Sequence, residues 1–493
     1  MPEMARNNQE FVEALKGQTL TIKKIYEAAV ALEQAYARAG YIFVRVVVPP
    51  QRLRDGGVIT FGVVNGFIEK VLADKVPAHY RDMVKARLLP LINRRSITLP
   101  EVEHCVLLAG DLPGLKLSSA LMRGDKAGGV VLIVEGESTF VGGSVTVDNR
   151  LPENLGTYQQ VTNVYLNNPT GNGERLYATV GSSLGGDRFS FLTRPTGFQS
   201  AGLQVPVGSD GWMINPEFVR SNSLVSATSN TPQTESNYMR STIRAMAPLI
   251  RNRQNSLNAT LGVDYISYLS SFPVLKTDDR SDRYAVLRSG VDYSTQVLEQ
   301  TSFQSRAEFS KGLGGRSAAD AVASKIPLSR QGSSPEFSAF KATAVVQQAL
   351  PASMALKIQA TAQTSFGSPL FSSEQLSLEG SNSITGVSTG SLSVDEGFVV
   401  RSELSYPLAT SFLWMSPNLE PYVFAAGGAG TLDQATAVER SKLKATSFGI
   451  GLRTSVPTSD AAFSIEYAQA HTNLADPVKR SSHRVSGSIA KGF

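Results

Sequence analysis

The chain has 493 residues, enough for more than one domain and a sizeable core, and its 47 Lys+Arg against 42 Asp+Glu leave a net charge of +5. That balance is too mild for a nucleic-acid binder, which needs a concentrated basic stripe. Charged residues are 18%, below the quarter or so usual in soluble domains, and no run approaches the roughly 18 apolar residues of a transmembrane helix, so a typical charged soluble enzyme and a helical membrane protein are both excluded.

The start, MPEMARNNQEF, has no apolar h-region, so no signal peptide is visible. In TIKKIYEAAVALEQAYARAGY the residues Ile22, Ile25, Tyr26, Ala29, Leu32 and Tyr36 recur at helical spacing, and Gly40 predicts a C-cap. YIFVRVVVP and GGVITFGVV predict strands. A second round opens near residue 67 with a strand in FIEKVLA and a helix in HYRDMVKARLLPLI, which carries Pro90 near its end. Another helix follows in PEVEHCVLLAG, started by Pro100, then closing strands in KLSSALM and GGVVLIVEG. The single cysteine, Cys105, excludes an intrachain disulfide and falls on a buried helix position. Two small α+β modules in tandem are predicted, 1–66 and 67–136.

From about residue 137 the period changes to two. In SLNATLGVDY, Leu257, Ala259, Leu261, Val263 and Tyr265 take one face, and Ser256, Asn258, Thr260, Gly262 and Asp264 the other. MALKIQATAQ and SFGIGLRTSV alternate likewise. A soluble sandwich also alternates, but several runs approach the ~9–11 residues that cross a bilayer with tilt. Residues 137–493 therefore predict an antiparallel transmembrane barrel of about sixteen strands, lipid outside and water inside. The last strand carries Val485, Gly487, Ile489, Lys491 and Phe493 on one parity. An open edge in lipid leaves backbone groups unsatisfied, so this strand must pair with the first. Phe493 belongs at the membrane interface, where aromatic rings are stable.

Enzyme chemistry finds no support. His79, His104, His471 and His483 lack metal-ligand spacing. GNGER at 171–175 lacks the Lys-Ser/Thr of a phosphate loop and lies between two alternating runs, as a hairpin turn would. No cofactor is implied.

Tandem α+β modules before such a barrel resemble the two-partner secretion transporters (TpsB, of the ShlB/FhaC/HecB type) of the Omp85 superfamily. YARAGYIFVRVVVPPQRLRDGGVITFGVVNGFIEKV resembles the family's first POTRA domain, through Gly40-Tyr41, Pro50-Gln51 and Asp55-Gly56. LLAGDLPGLKLSSALMRG resembles the second, through Leu112, Pro113 and Gly114. VDNRLPENLGTYQQVTNVYLNNPTGNGERL resembles the opening barrel hairpin, with Asp148, Asn149, Gly156, Tyr158, Asn168, Pro169, Gly171 and Gly173. SEQLSLEGSNSITGVSTGSLSVDEGFVVRSELSYPL resembles the sixth loop and the strand after it, and LEPYVFAAGG the next strand.

The resemblance implies a mainly β outer-membrane protein of a Gram-negative bacterium that is not an enzyme. Its POTRA domains would lie in the periplasm and capture the unfolded N-terminal secretion segment of a haemolysin- or adhesin-type partner exoprotein, which is exported through the barrel. It also implies contact with outer-membrane lipid, insertion by the barrel assembly machinery with Phe493 as C-terminal signal, and a monomeric state. The alternatives are an assembly or insertion factor of the same superfamily, or a degenerate, transport-impaired member. A porin reading is opposed by residues 1–136.

Two departures stand out. The family's sixth loop carries Val-Arg-Gly-Tyr/Phe, whose arginine pairs with the aspartate of a Phe-x-Asp-x-Gly motif on the barrel wall. Here the loop reads Ile384-Thr385-Gly386-Val387, and the wall keeps Phe424 and Gly428 but has Ala426 for the aspartate. With both charges missing, a neutral contact is expected. The family also carries a signal peptide, a plug helix and a linker, so the chain is expected to start inside or just before the first POTRA domain, without its first strand.

Overall fold

The computed structural model describes residues 2–493 except 53, 55, 185–195, 228–231, 299, 410–416, 438 and 475–479. The first helix is α1 (Pro2–Leu15), which the sequence reading did not foresee, because its apolar residues are few. It packs on α2 (Ile22–Arg38), capped by the Thr21 hydroxyl and burying Ile25, Ala29, Leu32 and Tyr36. Strands β1 (Val44–Val47) and β2 (Gly62–Asn65) pair antiparallel as a two-stranded sheet.

The second unit is β3 (Phe67–Lys75), α3 (Ala78–Leu88), α4 (Leu99–Gly110), β4 (Leu115–Arg123) and β5 (Gly129–Ser138), with sheet order β3-β5-β4. Pro90 sits in a short 3-10 turn that stops α3. A capping box between Thr98 and Glu101 starts α4. Ile68, Val84, Leu88, Ile97, Leu132 and Val134 form the core beneath the sheet. Cys105 is only half-buried, at the edge of that core.

The rest is one closed sheet. Its strands are β6 (Val141–Asp148), β7 (Gln159–Asn167), β8 (Arg175–Ser183), β9 (Gly197–Val207), β10 (Trp212–Val225), β11 (Thr234–Arg251), β12 (Asn255–Phe272), β13 (Thr277–Leu298), β14 (Thr301–Gly315), β15 (Ser338–Ala349) and β16 (Ala355–Thr364). A short helix, α5 (Ala318–Ser324), lies between β14 and β15. Two-residue strands β17 (Leu376–Ser377) and β18 (Ser393–Val394) form a ribbon outside the sheet. The sheet resumes with β19 (Glu396–Ser405), β20 (Leu408–Ala409), β21 (Asn418–Thr431), β22 (Lys442–Val456), β23 (Ala461–Thr472) and β24 (Ser481–Gly492). Because β19 and β20 both pair with β21, they count as one interrupted strand, and the barrel has 16.

Antiparallel alternation fixes the two faces. Val423, Phe448, Ile450, Ile465, Tyr467, Val485 and Ile489 stand exposed on the outside, as lipid-facing residues must. The walls are uneven. Strand β13 has 22 residues, about 70 Å of chain at ~3.3 Å per residue, against an apolar band roughly 25 Å tall. Length beyond the ~10 residues expected supports loops rather than spanning lipid: Ile266, Tyr284 and Val286 bury against Leu328, Phe337, Leu370 and Phe371.

Closure occurs between β24 and β6, with Ser488 opposite Asp148 and Gly492 opposite Ser144. Phe493 continues the ladder through two backbone bonds with Gly143, of 3.1 and 3.0 Å. Its ring is 62% exposed on the outer face. A Cβ on Gly143 would lie 2.5 Å from that ring and would also strike the Asn163 carbonyl oxygen of the neighbouring strand, a backbone atom, so the position favours glycine.

Candidate functional site: the lumen loop and its wall

Residues 365–395, the sixth of the connections on the side away from the α+β units, turn into the barrel. Their wall is the inward parity of β19 and β21–β24, opposite to exposed Phe398, Phe448 and Tyr467. Leu376, Leu378, Ile384, Val387, Leu392 and Val394 pack on Val399, Ala426, Leu443, Ala445 and Ala470 of that wall. The loop thus carries its own apolar core into the lumen.

Its base is pinned by charge. Asp395 is fully buried and pairs with Arg330 from the loop between β14 and β15. It also accepts from the amides of Asp433 at 2.8 Å and Leu370 at 3.2 Å, and from Gln375 Nε2 at 3.0 Å. Arg330 donates to the Asp433 carbonyl at 2.6 Å and to Glu439 at 3.4 Å. Nearby, Glu374 accepts from Arg288 at 2.8 Å, and Arg288 also holds buried Asp264 at 2.7 Å. Phe371 stacks on Tyr284 with centroids 4.3 Å apart. These partners are supplied by strands and loops far apart in sequence, so each contact ties the loop to a different wall.

The tip is held differently. Ile384 and Val387 bury in the apolar cluster beside Ala426. The Thr385 amide donates to Ser447 Oγ at 3.3 Å, and Ser482 Oγ donates to the Gly386 carbonyl at 2.7 Å. Gly386 has φ +93°, which favours glycine there.

The neutral contact expected at the tip overlooked a cation. Arg401 on β19 lies directly opposite Ala426 in the β19–β21 register. It is 3% exposed and donates 3.3 Å bonds to the Ser383 carbonyl and Thr385 Oγ1. Its guanidinium also meets Glu403 at 2.7 Å and Glu466 at 2.6 Å, and sits 3.6 Å from the centroid of the Phe424 ring. Tyr422 donates to Glu466 at 2.8 Å, and Arg453 holds the other oxygen of Glu403 at 2.8 Å. A buried guanidinium is tolerated when carboxylates and a ring face satisfy it in this way. Phe424 can lie across β22 because Gly449 has no Cβ, which would come 2.7 Å from the ring. Gly428 packs equally close, 2.8 Å from the Phe398 carbonyl oxygen by the same measure. Phe424, Ala426 and Thr385 thus gather around one arginine that comes from the wall rather than the loop, while Gly428 lies against Val399.

Sequence reasoning missed Arg401 and Glu466, as it missed Arg330 and Asp395 at the base. The available signal was parity: in FVVRSELS, Arg401 and Glu403 oppose the exposed Phe398 and Leu404. Their partner lies 65 positions away from Arg401, beyond any local pattern.

Other singled-out residues do structural work. Asn149 extends the closing seam with its side chain, donating to the Val485 carbonyl at 2.9 Å and accepting from the Gly487 amide at 2.8 Å. Asp148 is buried under Gln159. The turn 168–174 and the Leu112-Pro113-Gly114 segment meet: a Cβ on Gly173 would touch Leu112 at 2.9 Å, and one on Gly114 would strike Asn167 at 2.5 Å. Tyr80 OH donates to the Pro113 carbonyl at 2.6 Å, and Asn168 to the His79 carbonyl at 3.2 Å. Two motifs read separately in the sequence are thus the two halves of one joint between the second unit and the barrel. Arg251 reinforces it through a bidentate pair with Asp111 at 2.7 and 2.8 Å.

In the first unit, Gly40 has φ +91° and its carbonyl accepts from Leu99 at 2.8 Å, linking the two units. Tyr41 buries with Leu32, Tyr36 and Val44. After Pro50, Gln51 brackets Thr60 with two 2.8 Å bonds and closes the 51–60 loop. Gly56 has φ +73° with open space around it, and Asp55 lies outside the described residues. Among the described residues, no group of three or more His, Cys, Asp and Glu could hold a metal.

A closed barrel of 16 strands with a lumen loop and α+β units on one side has the architecture of a two-partner secretion transporter of the outer membrane. The model of the haemolysin secretion/activation protein ShlB/FhaC/HecB family matches residues 128–454, and that of the ShlB-type POTRA domain residues 5–66. The chain belongs to the ShlB/FhaC/HecB family, whose members export partner proteins. It is 22% identical over 464 residues to the heme/hemopexin transporter protein HuxB of Haemophilus influenzae (strain 86-028NP), covering 91% of this chain and 79% of that protein. It is 27% identical over 194 residues to the outer membrane transporter CdiB of Escherichia coli, covering 39% and 32%. Among solved structures, CdiB from Escherichia coli superposes with a TM-score of 0.76 at 20% identity, over 99% of this chain and 88% of that one. BamA from Haemophilus ducreyi lacking POTRA domains 1-3 gives 0.51 at 11% identity, over 99% and 97%, a likeness of fold alone.

Proposed function

We propose that residues 1–66 and 67–136 act as two periplasmic POTRA domains, and that 137–493 is the conduit through which an unfolded partner exoprotein leaves the cell. The observation that carries the capture step is the open edge of β4. In the order β3-β5-β4 this strand pairs, among the described residues, only with β5, and its residues 118–123 are exposed, Leu121 and Met122 among them. An extended segment adds there as a fourth strand, through main-chain hydrogen bonds that demand little sequence. The lumen loop then withdraws, and the polar inner face lets the chain slide.

In this reading Thr385, Gly386, Ala426 and their neighbours form the loop's release contact, and Phe493 with Gly143 forms the closing seam read by the barrel assembly machinery. The protein works as a monomer embedded in outer-membrane lipid. It carries no catalytic step and needs no cofactor.

A photo-activated cross-linker at Leu121 of the membrane-embedded full chain tests capture. It should form an adduct with the partner's unfolded N-terminal segment and none with a folded protein. Equal labelling of both, or of neither, contradicts it. Removing Phe493 should reduce membrane assembly more than expression, read by heat-modifiable gel mobility; unchanged mobility contradicts the seam's role.

A further inference from the structure

Between α4 and the rim of the barrel lies a cavity of about 440 Å³. One wall is the second α+β unit and the other is the end of β11. A bulge between Pro248 and Ile250 turns both Leu249 and Ile250 to the lipid side: Ile250 stands opposite Leu257, on the outward parity of β12. The two side chains are 58% and 42% exposed.

Arg87 reaches this cavity from α3 and is 5% exposed. Among the described residues it has neither an ion pair nor a hydrogen bond, and its Nε is buried without a partner. The neighbouring carboxylates are engaged elsewhere. Asp111 is held bidentately by Arg251, and Glu101 by Arg94 at 2.5 Å and by Thr98. Asp210 on the opposite lip is exposed and bonded to Ser209. A buried guanidinium without a counter-charge is costly, and burial pulls its pKa down from the ordinary value while Asp111 opposes that only in part. The neighbouring units do not supply the missing anion.

We propose that this cavity binds the phosphodiester headgroup of a phospholipid from the leaflet on the side of the α+β units. Arg87 meets the phosphate, and the glycerol and acyl chains pass over Leu249 and Ile250 onto the lipid-facing surface of β11 and β12. An anion alone would satisfy Arg87 but not two exposed aliphatic side chains at its lip. An amphiphile satisfies both. The lipid acts as mortar between the second unit and the barrel, beside the Arg251–Asp111 pair, and so couples the angle of that unit to the membrane surface.

Native mass spectrometry of the full chain in detergent tests this, with dioleoylphosphatidylglycerol and inorganic phosphate as probes. Wild type should retain one tightly held lipid, and Arg87→Met should lower its occupancy at least ten-fold. The double substitution Leu249→Ser and Ile250→Ser keeps Arg87 and should also lower lipid occupancy several-fold; it carries the test if Arg87→Met fails to show the heat-modifiable shift of a folded barrel. Equal lipid occupancy in wild type and either folded variant overturns the proposal. Displacement of the lipid by an equal concentration of inorganic phosphate overturns the lipid as source. Phenylglyoxal protection of Arg87 by an acidic unfolded polypeptide, and not by lipid, assigns the cavity to the cargo instead and also overturns it.

Discussion

At its base the lumen loop is fixed by Asp395 and Glu374, carboxylates that belong to the loop and reach arginines on other elements, Arg330 and Arg288. At its tip the loop makes no ion pair with the wall among the described residues: Ile384 and Val387 fill an apolar pocket, and the cation there, Arg401, belongs to the wall and is already satisfied by Glu403 and Glu466. The base therefore cannot detach without breaking two buried ion pairs and stranding the loop's own carboxylates, although Arg288 keeps Asp264 and Arg330 keeps Glu439, whereas the tip can slide off leaving every ion pair intact. A loop that must stay attached yet clear the lumen is served by this asymmetry, with the tip as the yielding end.

Substitutions separate the two ends. The largest effect is expected from Asp395→Ala, which removes the fully buried partner of Arg330 and leaves it only Glu439 at 3.4 Å, and breaking a buried pair typically costs about 3–5 kcal/mol. It should lower the barrel's unfolding midpoint and give large, persistent open conductance in planar bilayers. Wild-type conductance would show that the base does not hold the loop. Arg401→Met should cost less, because Arg453 still pairs with Glu403. Adding Glu466→Gln should recover part of the loss, and strict additivity of the two would mean that Arg401 and Glu466 are not coupled.

Thr385→Arg sharpens the tip. It places a second cation beside Arg401, within 3.3 Å of the present hydroxyl, and should loosen the tip. Ala426→Asp faces Arg401 across the β19–β21 register, so the pair of substitutions should show favourable coupling of roughly 1–3 kcal/mol in a double-mutant cycle. No coupling would mean that positions 385 and 426 do not face one contact.

The smallest expected effect is a pH dependence at the base. Burial raises the Glu439 carboxyl's pKa, but the Thr436 amide and Arg330 outweigh it, and the net value lies below the ordinary 4.5. A depressed carboxylate stabilises fully above its ordinary value and loses that contribution as pH falls through the folded one. Open probability should therefore rise modestly below about pH 4.5, and Glu439→Gln should abolish that rise. A profile unchanged by Glu439→Gln would assign it to another group.

Much of this architecture was legible because it rests on local periodicity. The switch from mixed elements to period two near residue 137 marked the barrel, and the parity of Val485, Ile489 and Phe493 marked its closing face. The resemblance to the family's motifs pointed to 384–387 and 424–428, and Ile384, Val387 and Ala426 pack in one cluster. What stayed hidden was partnership. Arg401 reads locally as an inward polar residue, and its link to Glu466 exists only because β19 and β23 flank the same lumen. Helix α1 was missed for a different reason: its face is weakly apolar, and its contact with the first unit is made by Phe11 edge-on to Phe61, 5.1 Å away. The seam illustrates a third case, where the parity was legible but Asn149 acting as an extra rung of the ladder was not.

The central claim is that the tip leaves its wall for the pore to open. It is tested most directly by Thr385→Cys with Ser447→Cys, a pair that now shares a 3.3 Å amide–hydroxyl bond, in a background where Cys105 is replaced by serine. Single-channel recording of the full chain before and after oxidation reads the outcome. The account predicts that large-conductance openings vanish on oxidation and return with dithiothreitol; openings of undiminished size and frequency in the fully cross-linked protein would contradict it.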